Sequence, residues 1–223
     1  MGLMSSKIGR DELRPGDHIY TWRSGYSYSH HGIYVGDGKV IHLTRGPGLI
    51  ISSSSSQSSD DRVKCCDIED FLCDGQFYCF EYGVSRFVFL TKGPGTCSLV
   101  SSDPPEQVFH HTSYLLKYGF GNYDLLYRNC EDFAIYCKTG LIRAGGFSGQ
   151  IKSLVAAITA VTFIPYQFLP AGLIGVALGV CGLYFFFRLG NDARVRRESE
   201  VVAVEKLARL SDMDISEFNS SMD

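Results

Sequence analysis

The chain has 223 residues, a formal net charge of −3 and 45% apolar residues, aromatics included at 13%. That is enough for one packed globular domain plus additional material, and the mildly acidic balance gives no reason to expect a nucleic-acid partner. The opening MGLMSSKIGRDEL lacks the apolar stretch of a cleavable secretory signal. The eight cysteines (65, 66, 73, 79, 97, 130, 137, 181) are therefore expected to be reduced thiols facing the cytosol.

In chain order, residues 1–11 form a leader. Its Met1-Gly2-Leu3-Met4-Ser5-Ser6 fits the pattern for N-myristoylation of Gly2. One acyl chain anchors weakly, so a second membrane signal would be required. Residues 12–145 read as an α+β domain. Asp17–Trp22, His30–Val35 and Lys39–Leu43 are strand-like, as are Gln76–Tyr82 and Cys97–Val100. An insert of about residues 46–75 contains the low-complexity run Ile51–Asp60, expected as a solvated loop. Asp103 followed by Pro104-Pro105-Glu106 predicts a helix capped by Asp103 and running to Leu116. A second helix is predicted from Asn129 or Cys130 to Gly140, a natural C-terminal residue.

Residues 146–190 form a hydrophobic segment with no charged residue from Ser153 to Phe187. Phe168–Phe187 is long enough to cross a bilayer as a helix of about 20 residues. Gly175 and Gly179 stand at GxxxG spacing. Arg188, Arg194, Arg196 and Arg197 follow, which places that end in the cytosol by the positive-inside rule. Leu154–Phe163, with Pro165 and Pro170 beyond it, also permits two short helices in a re-entrant or two-pass hairpin. Membrane association is expected in preference to a definite single pass; the plainer alternative is an apolar hairpin packed on the domain. Residues 191–223 read as a polar tail carrying a surface helix (Val201, Val204, Leu207, Leu210).

The stretch HHGIYVGDGKVIH, His30 to His42, is a hairpin whose turn decides which histidines meet. A two-residue loop, Asp37-Gly38, sets His42 opposite Ile33 and on the face of His31. A three-residue loop pairs Val35 with Lys39, so that His42 faces Gly32 and shares its face with His30. Glycine at the third loop position favours the second register, in which two imidazoles can lean together above Gly32. Histidine is the usual base near neutral pH.

Among the eight thiols Cys130 is the nucleophile candidate. It opens a helix, where unpaired N–H groups and the dipole favour a thiolate and can hold an oxyanion. Asn129 is the expected cap, Glu131 and Asp132 are expected as capping carboxylates, and Cys137 as core. The commoner fate of a cysteine is simple burial. Cys65, Cys66, Cys73 and Cys79 lack paired CxxC units, so neither a metal nor a cofactor is expected. His110 and His111 are read as structural.

Together RPGDHIYTWR (Arg14–Arg23), HHGIYVGDGKVIHLTR (His30–Arg45), GFGNYDLLYRNCEDFAIYCKTG (Gly119–Gly140) and the late hydrophobic segment resemble the lecithin:retinol acyltransferase-type (LRAT) domain. The resemblance is specifically to plant NC-domain proteins of the lead-sensitive type. It covers about residues 12–140. It implies a circularly permuted papain-like fold, akin to NlpC-type peptidases, with the histidines preceding the cysteine. Matched without gaps, the family's nucleophile falls on Cys130, its base on His30 and the orienting histidine on His42. Two departures stand out: the usual histidine after the family's NCE is Asp132 here, and the tryptophan or similar residue after the first histidine is His31.

The expected function is a membrane-associated thiol acyltransferase or phospholipase, acting on phospholipid acyl chains through a cysteine thioester, with the catalytic domain in the cytosol. An amide or isopeptide thiol hydrolase and a catalytically silent membrane adaptor are the alternatives.

Overall fold

The computed structural model describes residues 7–23, 28–44, 62–120, 129–143, 148–165 and 172–210. A five-stranded sheet has the order β4-β3-β2-β1-β5, from β1 (His18–Arg23), β2 (Tyr28–Gly36), β3 (Lys39–Thr44), β4 (Arg62–Asp67) and β5 (Phe77–Cys79). All four pairings are antiparallel. The helices are α1 (Ile68–Leu72), α2 (Arg86–Thr91), α3 (Pro105–Tyr118), α4 (Cys130–Thr139), α5 (Gly149–Thr162), α6 (Gly172–Ala193) and α7 (Val204–Leu210). A two-stranded ladder joins β6 (Leu141–Arg143) to β7 (Ser199–Val201). The architecture is mixed α+β, as the sequence predicts.

Alternation along the strands makes two apolar faces. Ile33, Ile41, Leu43 and Val63 pack with Phe133, Ala134, Tyr136 and Cys137 of α4 and with Val108 and Leu115 of α3. Ile19 and Val40 face the other way, onto Ile68, Phe71 and Leu72 of α1 and Phe77. Every catalytic candidate on β2 must therefore choose between the α4 side and the α1 side.

The β2–β3 turn combines features of both loops considered above. Asp37 (φ 51°) and Gly38 (φ 69°) take the positive φ that two-residue hairpin turns require, and Gly36 pairs with Lys39. The register then shifts between Tyr34 and Gly36, so that Tyr34 pairs with Val40 and Ile33 with Ile41. Val35 is the extra residue of a bulge. The bulge restores the register expected of the longer loop, and His42 comes to lie beside Gly32. A Cβ on Gly32 would stand 2.7 Å from Val40 Cγ1, 3.0 Å from the Phe71 ring and 3.1 Å from the Cβ of His42.

Several boundaries differ from expectation. The second half of the insert is ordered structure: residues 62–75 supply the edge strand β4 and α1. Residues 51–60 lie outside the described residues, as does Gly2. The strand predicted over 76–82 shortens to β5, and Cys97–Val100 contributes only a parallel bridge, Cys97 to Glu81. α2 was not anticipated; Ser85 Oγ caps it by accepting from Val88 N–H. α3 is capped at Pro104 rather than Asp103, whose N–H instead donates to Lys138 O at 2.7 Å, and the helix runs two residues past Leu116.

The C-terminal region also departs from a plain surface tail. Val204 and Leu207 are buried in the α4-side core, and Tyr136 Oη–H donates to Val202 O at 2.7 Å. The reason is burial: the spacing of Val204 and Leu207 gives a short apolar stripe, which α3 and α4 cover.

α5 and α6 pack antiparallel, with Asn191 Nδ2 donating to Ser153 Oγ at 2.9 Å near the base of the hairpin. Arg188, the first of the cations that follow the apolar segment, is only 3% exposed. Its guanidinium pairs with Glu131 of α4 and, at 3.3 Å, with Asp192. Asp192 also accepts from Arg143 at 3.3 Å and from Gly95 N–H at 3.1 Å, while Gln150 donates to Glu131 at 2.7 Å. Away from this base the hairpin is bare: Val155, Ile158, Phe163, Ile174, Leu178 and Phe186 are exposed. Ile174–Ala193 is long and apolar enough to cross a membrane by length and composition.

Two outcomes follow for stability. Gly32→Val drives a branched side chain into Val40, Phe71 and His42 and is expected to cost about 2 kcal/mol, read as a lowered urea midpoint. Arg188→Met leaves Glu131 and Asp192 buried without their shared cation and is expected to cost about 3–5 kcal/mol. Limited proteolysis of Arg188→Met should also release the hairpin before the sheet domain is cut.

Candidate active site

Asn129 positions Cys130. The asparagine Oδ1 accepts from the N–H groups of Glu131 (3.0 Å) and Asp132 (3.1 Å). Asp132 Oδ2 accepts in return from Asn129 N–H at 3.3 Å, which completes a capping box with asparagine and aspartate in place of the usual serine and glutamate. Asp132 thus takes the capping role expected of it. Glu131 does not cap: it lies in the buried ion cluster with Arg188.

Cys130 is 6% exposed, and its Sγ–H is directed at the carbonyl of Ser29 at 3.9 Å. A hydrogen bond from the His31 backbone N–H also reaches the sulfur. Both contacts fall on the edge of β2, at a level where its paired register with β3 has ended at Ile33 and Ile41. The thiol therefore sits where, among the described residues, β2 has no strand partner on its β3 side, touching the residues on either side of His30. Burial pushes the thiol up to about 12, against the His31 N–H bond, with Glu131 and Asp132 adding to the rise. At neutral pH it is an S–H group.

His30 and His42 meet as the bulged register predicts. His30 Nε2 and His42 Nδ1 share a hydrogen bond at 2.8 Å, with both rings against Phe71. This is the α1 side of the sheet, whereas α4 packs on the other. Among the described residues no hydrogen bond joins Cys130 to His30 or His42. The thiol that the pair does contact is Cys66 of β4, whose Sγ lies 3.3 Å from His42 Nε2. Burial holds His42 down at about 4, with Lys64 and Arg23 contributing, and holds His30 well below the usual imidazole range.

His31 is on the side of α4. Its Nε2 shares a hydrogen bond with Ser29 Oγ at 2.8 Å, and its Nδ1 another with His18 Nε2 at 2.8 Å. His18 Nδ1 continues to the hydroxyl of Tyr82 at 2.7 Å. Tyr20 stacks on the His31 ring, and Phe80 on that of His18. Burial lowers His31 to about 4, although the Glu131 carboxylate opposes it. Burial would raise Glu131, but Arg188, His31 and Arg143 outweigh it and hold the carboxyl at about 2, so it is ionised beside the site.

The sequence reading gave His18, Ser29, Tyr82, Cys66 and Arg188 no role at the site. One signal was available: if β1 and β2 form a hairpin, His18 and His31 can share a face. Their actual register puts His18 opposite Ile33 and Tyr20 opposite His31. His111, by contrast, bonds Cys137 O through Nδ1 at 3.3 Å and His110 pairs with Glu205 at 3.2 Å, both away from Cys130.

Comparison with known proteins places these features in a family. The family model described as Lecithin retinol acyltransferase matches residues 11–143. The chain is 41% identical over 236 residues to Protein LEAD-SENSITIVE 1 of Arabidopsis thaliana, covering 94% of this chain and 91% of that one. It is 28% identical over 123 residues to Lecithin retinol acyltransferase of Rattus norvegicus, covering 51% of this chain and 49% of the relative. It is 27% identical over 139 residues to Phospholipase A and acyltransferase 4 of Homo sapiens, covering 59% of this chain and 73% of the relative. The animal relatives support a function of the acyltransferase or phospholipase kind at the level of the family. With the matched region running from the leader to β6 and enclosing the hairpin and Cys130, the chain belongs to the lecithin retinol acyltransferase family, beside a plant relative that it resembles over nearly its whole length.

Proposed function

We propose that the protein transfers or hydrolyses acyl groups of phospholipids through a thioester on Cys130. The observation that carries the reading is the capped start of α4: it holds one buried thiol against the backbone of β2 at Ser29 and His31 within the family-matched region. Cys130 attacks the ester carbonyl, and its own backbone N–H, which the Asn129 cap does not use, is placed to donate to the oxyanion. In the trio implied by the family, His30 takes the thiol proton and His42 orients it; their 2.8 Å bond suits such a pair. The acyl group then passes to an amine, a hydroxyl or water. The domain in this reading is a circularly permuted papain-like fold of NlpC type.

A lipid substrate calls for a membrane-facing surface, and the exposed apolar side chains of α5 and α6 supply one. Gly2 myristoylation would add the second signal that stable anchoring needs, with the sheet domain on the cytosolic side. A catalytically silent membrane adaptor is the second reading, favoured by the neutral, buried state of Cys130.

The test uses the purified full chain and vesicles of phosphatidylcholine labelled in its acyl chains. Label is expected on Cys130 in the wild type and absent in Cys130→Ala. His30→Ala is expected to slow labelling by about 10²–10⁴-fold, the usual contribution of a general base. No label and no released fatty acid from the wild type would refute the lipid-enzyme reading in favour of the adaptor.

A further inference from the structure

On the α1 side of the sheet a third side chain continues the line of the two histidines. His30 Nε2 and His42 Nδ1 lie 2.8 Å apart, and Cys66 Sγ lies 3.3 Å from His42 Nε2. The register of β3 with β4 brings Cys66 there: Lys64 is paired with His42 and Cys66 with Val40, so the period of two turns Cys66 to the face of His42. Cys66 is half-buried and packs against the cluster of Ile19, Val40 and Phe71. Burial raises its thiol to about 11, with Asp70 adding to the rise, and burial keeps both imidazoles low. At neutral pH the line therefore consists of two neutral rings and an S–H group.

Two neutral rings that share one hydrogen bond have two arrangements, because the proton on one nitrogen is set by the bond the other makes. In the first, His30 donates from Nε2 to His42 Nδ1, His42 donates from Nε2 to the sulfur, and His30 Nδ1 keeps its lone pair. In the second, the thiol donates to His42 Nε2, His42 donates from Nδ1 to His30 Nε2, and the proton of His30 sits on Nδ1. Only the first leaves His30 a nitrogen that can take up a proton. It is also the better satisfied. Among the described residues His42 is the hydrogen-bond partner of His30. The second arrangement thus leaves a ring N–H, the stronger donor, without a protein partner. The first leaves only an S–H, a weak donor that can turn to water from its half-buried position.

We propose that Cys66 is a positioning residue for the base: its sulfur accepts from His42 Nε2–H and so selects the arrangement in which His30 Nδ1 holds the lone pair. The inference rests on His30 being the base of the proposed function and adds the group that fixes its tautomer. Nδ1 is also the ring nitrogen nearer the chain, and the chain at Ser29 and His31 is what the Cys130 sulfur touches. As that sulfur bonds to the acyl carbon, its proton goes to His30 Nδ1. The Nε2–H of the resulting imidazolium still donates to His42, and His42 to Cys66. When the adduct collapses, the bond to the departing alkoxide breaks and Nδ1 returns the proton to it, so acylation leaves no net charge.

The first readout needs no turnover. Full-length protein with isotope-labelled histidine is placed in nanodiscs of ether-linked phosphatidylcholine, which cannot acylate a thiol. Long-range proton–nitrogen correlations near neutral pH then report which ring nitrogen carries the proton, and His30→Gln and His42→Gln assign the two signals. In the wild type both rings are expected to be protonated on Nε2 with Nδ1 bare; a proton on His42 Nδ1 would overturn the proposal. Cys66→Ala is expected to add the other tautomer. With saturating vesicles of acyl-labelled phosphatidylcholine it should also slow labelling of Cys130 about five- to tenfold, the contribution of one hydrogen bond, and leave half-saturation unchanged. Cys66→Ser keeps an acceptor in place and is expected to recover the tautomer and most of the rate. Wild-type tautomers or a wild-type rate in Cys66→Ala would count against the proposal, and so would a serine variant as slow as the alanine one, which would report packing alone. A wild type that shows the expected tautomers, changed in Cys66→Ala, yet takes no label would sink the acyl-lipid reading and leave the role of Cys66 standing.

Discussion

Successive side chains of a β-strand leave on opposite faces, and at His30 and His31 this rule divides the candidate site in two. One imidazole goes to the α1 side with His42, Phe71 and Cys66; the other goes to the α4 side with Ser29, His18 and the start of the nucleophile helix. No rotamer brings both rings to one side. What the two have in common is the strand edge between them, and Cys130 is docked on that edge through the carbonyl of Ser29 and the N–H of His31. The geometry of the site is thus the geometry of one strand's backbone.

The second organising interaction is the ion cluster of Glu131, Arg188, Asp192 and Arg143. Buried pairs of this kind seldom add much net stability over an apolar replacement, but breaking one is costly. Its effect here is to specify position: the base of an apolar hairpin is fixed to the residue next to the nucleophile. Arg188 and Glu131 thus join the base of the α5–α6 pair directly to the first turn of α4. The same cluster keeps an ionised carboxylate beside His31.

Neutral groups prevail throughout the site. The thiol is raised and the imidazoles are lowered, each chiefly by burial, so the resting state carries no thiolate–imidazolium pair. Chemistry in such a site depends on moving a proton in concert with attack rather than on a preformed nucleophile. The helix start contributes mainly by fixing the position of the thiol through the Asn129 cap, since its effect on the thiol is smaller than that of burial.

Local signals in the sequence were sufficient for the α+β class, the cap at Asn129, the helix from Cys130 to Gly140, the pairing of His30 with His42 and the apolar hairpin. Each depends on chemistry within a few residues: a side chain that caps, a glycine that permits positive φ, a period of two or of 3.6. The meeting of His30 with His42 was legible because a turn couples residues that are close in sequence, although a bulge at Val35 and not a longer loop produced the register. Which face α4 would cover was not legible, because it depends on the packing of Phe133, Ala134 and Cys137 against strands about a hundred residues earlier. For the same reason Arg188 was legible only as one of a cluster of cations after the apolar segment, and not as the partner of Glu131 and Asp192. Tertiary structure alone decided that the imidazole on the thiol's side is His31, since burial and long-range docking leave no periodic trace in the chain.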